Sequence, residues 1–141
     1  MLNDILAGVV AGLIFSTVLL GDGVFILLTN RDMHDRLSKA LKPPLTPLTV
    51  MLGTAFGIPP VSVIIGAVGG IVYNVISEAY PGGGLGSPNL VFTAIALGIA
   101  GILALIVLLV RNKLITIPGL ITCVAFAGIF GWILPLIADW R

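Results

Sequence analysis

Four long apolar stretches alternate with three short polar ones. The first runs from Ile5 to Thr29, is interrupted at Gly21-Asp22-Gly23, and ends in a charged segment, Asn30 to Lys42. A proline-rich entry, Pro43-Pro44-Leu45-Thr46-Pro47, opens the second, which extends from about Leu48 to Ile76 and contains Pro59-Pro60. Glu78, Tyr80 and a glycine-rich segment, Pro81 to Asn89, separate it from the third, the uncharged run Leu90 to Val110. Arg111-Asn112-Lys113 then leads into the fourth, Leu114 to Ala138. A helix needs about 20 apolar residues to cross the hydrocarbon core of a bilayer. The runs are continuous rather than alternating, and they exceed the roughly 10 residues of a barrel strand. The pattern predicts an all-α integral membrane protein. It is a single membrane domain, a four-transmembrane-helix bundle with spans near 5–29, 48–78, 90–110 and 115–138. A polar loop at 30–47 and a glycine-rich loop at 79–89 join them.

Two of the spans carry breakers. Glycines flank Asp22, and a helix interrupted there would leave a short segment, Val24 to Thr29, capped by Asp22. The second apolar stretch would be about 43 Å long as a straight helix, against a core of about 30 Å. Pro59 and Pro60 remove two backbone donors and crowd the preceding turn. Broken first and second helices are therefore expected, with 48–58 either spanning or re-entrant.

Composition narrows the class. The chain has 141 residues, of which 58% are hydrophobic and 9% charged, and its mean hydropathy is +1.20. A typical soluble domain is about 25% charged. That deficit excludes disorder, a basic nucleic-acid surface and an ordinary water-soluble fold. Cys123 is the only cysteine, so no intrachain disulfide can form. No basic segment precedes the first apolar run, which is expected to be a mature helix rather than a signal peptide.

The few charges are unevenly placed. Arg31, Arg36, Lys39 and Lys42 fall in the first loop, Arg111 and Lys113 in the third, and none in the second. Because cytoplasmic loops are enriched in Lys and Arg, the first and third loops are expected in the cytoplasm, with both termini outside. A prokaryotic plasma membrane fits this reading. Asp4, Glu78 and Asp139 then fall at the outer face, with Tyr80 and Trp140 as interfacial aromatics.

Small residues recur at four-residue spacing: Gly8 with Gly12, Gly53 with Gly57, Gly66 with Gly70, Ala94 with Gly98, and Ala127 with Gly131. Such faces let helix backbones approach closely where lipid offers no hydrophobic contrast. They could serve the bundle itself or contacts between subunits. Ala11–Leu20 resembles Ala100–Leu109 at an offset of 89, whereas Pro47 and Pro118 match at 71, so no consistent repeat follows.

Asp22 is the sharpest chemical feature. It lies nine residues before Arg31, about 13 Å of helix rise inside the apolar stretch. A carboxylate near a helix centre costs about 2.5–3.5 kcal/mol on insertion scales, so it is expected to face protein, a partner or water. Thr17, Thr54 and Ser62 are candidate companions for an ion or proton site, because interrupted helices can expose backbone groups that bind ions. Asn74, with Tyr73, is expected to make a polar contact between helices. Glu78 and Asp139 are expected to be solvated.

Other motifs carry less. Asp32 and Asp35, with His34, could hold a divalent cation on a diphosphate, but Arg31, Arg36, Lys39 and Lys42 interleave with them. A short amphipathic helix at 32–41 on the anionic leaflet accounts for the same residues. The glycine-rich loop lacks the lysine and spacing of a phosphate loop and reads as a flexible turn. No metal-ligand, cysteine-pair or nucleophile-elbow motif occurs, and no cofactor is expected.

Three functional readings follow. The first is a subunit of an oligomeric or multi-subunit membrane complex that moves an ion, proton or small solute through Asp22. The second is a non-catalytic structural or assembly subunit. The third is a lipid-modifying enzyme using Asp32 and Asp35. The expected partners are membrane lipid and further copies or other membrane subunits, and no nucleic acid.

Overall fold

The computed structural model describes residues 1–40, 46–110 and 112–140. Helix α1 spans Leu2–Thr29, α2 Arg31–Ala40, α3 Pro47–Ala79 and α4 Leu90–Leu109. Helix α5, Lys113–Gly128, passes through a π-helical turn, Ile129–Ile133, into α6, Leu134–Asp139. α1, α3, α4 and the composite Lys113–Asp139 are each long and apolar enough to cross a membrane. The fold is that of an integral membrane protein. Its outer surface agrees: Phe56 is 80% exposed and Val124 74%, which suits lipid and not water.

Helix starts follow local chemistry. Thr46 and Thr49 form a reciprocal capping box ahead of α3, with Pro47 in its first turn. Asn89 caps α4 through Phe92 N–H (2.8 Å), and Asn112 caps α5 through Leu114 N–H (3.1 Å).

The expected breaks do not occur. α1 continues through Gly21-Asp22-Gly23, and α3 through Pro59-Pro60. Glycine in a helix interior costs about 1 kcal/mol relative to alanine. A broken helix in hydrocarbon leaves several backbone groups unpaired, each at several kcal/mol. Continuity therefore wins at Asp22, which caps nothing. At Pro59-Pro60 only the missing proline N–H groups are lost. The irregularity falls instead in the fourth span, at the π-helical turn.

The main helix interface is the antiparallel crossing of α1 and α3. A Cβ on Gly8 would overlap the carbonyl oxygen of Gly66, and one on Gly12 that of Ser62. Cβ atoms on Gly66 and Gly70 would overlap the carbonyls of Gly8 and Asp4. Two of the small-residue pairs thus interlock within one chain. Gly53, Gly57 and Gly98 have nothing within 4 Å of such an atom.

An aromatic cluster fills the centre. Phe15 meets Phe126 and Phe130 edge to face at centroid distances of 5.7 and 5.6 Å. Tyr73 meets Phe92 between α3 and α4 at 5.1 Å. The buried residues of α1 all lie between Asp4 and Ser16. In α3 no residue from Leu48 to Val61 is buried, whereas Ser62, Gly66, Gly70 and Tyr73 are. The bundle is closed at the end holding Asp4 and the glycine-rich loop, and it splays toward the end holding α2 and Lys113.

Candidate functional site

Asp22 is half-buried, and its carboxylate accepts a hydrogen bond from the hydroxyl of Thr122 on α5. Helical serine and threonine hydroxyls commonly bond back to their own helix. Ser16, Thr17, Thr29 and Thr54 do so, on the carbonyls of Leu13, Ile14, Phe25 and Met51. Thr122 turns across to a neighbouring helix instead. Thr122 is nine residues beyond Lys113, as Asp22 is nine before Arg31. Both lie about 13 Å from the basic ends of their helices, and the antiparallel packing of α1 on α5 brings them to one level. Asp22's partner is a neutral hydroxyl, and among the described residues no salt bridge reaches its carboxylate.

The other expected companions of Asp22 lie elsewhere. Thr17 and Thr54 are exposed, with hydroxyls committed to their own helices. Ser62 is buried at the glycine crossing, where its backbone carbonyl faces Gly12. Thr122 itself was not among the candidates. The signal that finds it is the matching distance of each residue from a basic helix end.

A second polar pair lies at the opposite end of α1. Asn74 Nδ2 donates to Asp4 Oδ2 at 3.2 Å, and the Met1 amino group lies 2.6 Å from the same oxygen. Asn74 thus joins α3 to α1. Tyr73 is buried beside it and meets Phe92 edge to face. Asp4 is buried rather than lying free at a membrane surface. It is 18 residues from Asp22, which is five helical turns, so both carboxylates share one face of α1 about 27 Å apart. Glu78 and Asp139 are exposed.

The π-helical turn is locked to α4 and to the loop. Pro135 has no N–H to offer the carbonyl four residues earlier, that of Gly131. The buried Thr93 hydroxyl shares its one proton between that carbonyl, at 2.8 Å, and Asn89 O on its own helix, at 2.9 Å. Trp132 Nε1 donates to the carbonyl of Leu85 at 2.8 Å. The loop is built rather than loose. Gly84 and Ser87 exchange backbone bonds around Leu85-Gly86, both with positive φ, 55° and 76°. Asn89 ties its start to its end through Tyr80 O at 2.9 Å.

The charged loop forms α2, matching the expected amphipathic helix at 32–41 in position. Asp32, Asp35, Arg36 and Lys39 are exposed on it. Arg31 begins the helix, and Lys42 lies outside the described residues. Among the described residues no three His, Cys, Asp or Glu side chains group as a metal site, and no buried side-chain polar atom lacks a partner. Compared with protein-family models, with curated proteins and with solved structures, the chain has no match.

Proposed function

We propose that the chain is a small polytopic subunit of a homo-oligomeric or larger membrane complex, in which the Asp22–Thr122 pair binds and releases a proton or small cation. The single supporting observation is a carboxylate inside an apolar span, half-buried and held by a neutral donor from another helix. An ionisable group there is costly and is a functional candidate by default. Four short spans leave little room for a private pathway, so neighbouring copies or subunits complete it. We orient the basic end toward the cytoplasm of a prokaryotic plasma membrane, following the distribution of Lys and Arg.

A structural reading has its own supporting observation. Asp4–Asn74 is a similar cross-helix pair on the same face of α1, so the two carboxylates could simply pin that helix at both ends. Asp22→Asn separates the readings, because the amide oxygen still accepts from Thr122 but cannot titrate. In the native complex reconstituted into vesicles, the transport reading predicts loss of coupled proton or cation flux with unchanged assembly. Unchanged flux in the assembled variant overturns it and favours the structural role. The lipid-modifying reading needs Asp32 and Asp35, and an unchanged double alanine variant would dispose of it.

A further inference from the structure

Below the glycine crossing, α1 and α3 diverge and leave two apolar clefts. One, of about 410 Å³, lies between Leu20, Val24 and Leu27 of α1 and Leu48, Met51 and Ile58 of α3. The other, of about 600 Å³, is lined by Leu19, Gly53, Gly57 and Val61. Both share Val50, Thr54 and Ile58, which recur every four residues and form a ridge between them. The Thr54 hydroxyl is satisfied by Met51 O at 2.8 Å, so the ridge presents no unmet polar group.

We propose that these twin clefts hold one anionic diacyl phospholipid, its two chains straddling the Val50–Thr54–Ile58 ridge and its phosphate meeting Arg36 and Lys39. A packed helix is about 10–12 Å across with its side chains and asks for one broad groove. Two acyl chains ask for two narrow ones. The headgroup assignment rests on charge. α2 joins the two helices that wall the clefts, and its acidic residues, Asp32 and Asp35, fall toward its α1 end. From Arg36 to Ser77 the sequence carries three positive charges and no negative one. Arg36 and Lys39 are exposed on α2 just ahead of α3. Basic sites between membrane helices on the cytoplasmic side recognise anionic headgroups. This site is separate from Asp22, and its failure would leave the proton-site reading untouched.

The full-length protein, stripped of lipid and placed in nanodiscs of equal phosphatidylglycerol and phosphatidylcholine, tests the assignment by native mass spectrometry. One retained phosphatidylglycerol per chain is expected, favoured roughly tenfold over phosphatidylcholine, a preference two near-surface basic side chains can supply. Arg36→Gln with Lys39→Gln, both exposed and outside the helix interfaces, should erase the preference. Val50→Trp, which fills the ridge, should reduce retention of both lipids. Equal retention by the unaltered protein, or a preference that survives the double glutamine variant, overturns the proposal. So does a lipid-free dimer dispersed by Gly57→Leu, which would make a second copy the occupant.

Discussion

Gly8 and Gly66 are reciprocal: a Cβ on either would overlap the carbonyl oxygen of the other. Overpacking a fitted interface costs about 1–3 kcal/mol even when side chains can yield, and backbone cannot yield in that way. Gly8→Val or Gly66→Val should therefore part α1 from α3 and lower thermal stability in detergent by at least that amount. Gly53→Ala should be neutral or slightly stabilising, since its Cβ meets nothing and alanine is the better helix former by about 1 kcal/mol. Equal loss from both substitutions would mean that the second glycine pair is also buried in the purified species.

The bond between Thr93 and Gly131 compensates for Pro135. Thr93→Val keeps the shape and removes a donor from a buried carbonyl, at a cost of about 1–3 kcal/mol. Restoring a backbone donor with Pro135→Ala should shrink that cost. A double-mutant cycle on thermal stability measures the coupling, and simple additivity would show that the hydroxyl does not stand in for the missing N–H.

Leu85 adopts a left-handed conformation, with φ 55°, that suits asparagine or glycine. A two-residue turn with positive φ at both positions favours Asn-Gly. Left-handed backbone costs a residue such as leucine about 1–2 kcal/mol. Leu85→Asn is expected to raise the melting temperature, while Trp132→Phe should speed hydrogen exchange at Gly84 and Ser87. Unchanged exchange in the tryptophan variant would contradict the indole's role as the latch.

The sequence was most legible where lipid imposes the rule. Four long apolar helices could be read because continuous apolar length is a local signal, whereas the caps at Thr46, Asn89 and Asn112 were not read. The breaks could not be read correctly, because the cost of Gly21 and Gly23 is visible locally while the cost of unpaired backbone in hydrocarbon is not. Asp22 stood out as the one deep carboxylate, but its partner depended on which helix packs beside it. Thr122 lies one hundred residues away and looks like any helical threonine. Asp4 was placed at the outer face, and nothing near it in the chain reveals that α3 carries Asn74 to meet it.

Carbodiimide labelling at Asp22, with and without a competing small cation, is the most direct test of the central claim. The carboxyl oxygen adds to the central carbon of a hydrophobic carbodiimide while its proton passes to the carbodiimide nitrogen, and peptide mass spectrometry locates the resulting acylurea. If Asp22 exchanges a proton or cation, it should label in the assembled protein, and Asp22→Asn should abolish the adduct. A competing small cation should slow the labelling, and Thr122→Val, which removes the hydroxyl from the carboxylate, should change its rate. An Asp22 that stays unlabelled, or whose labelling no small cation slows, with Thr122→Val altering stability alone, would contradict the account and leave the pair as a structural pin.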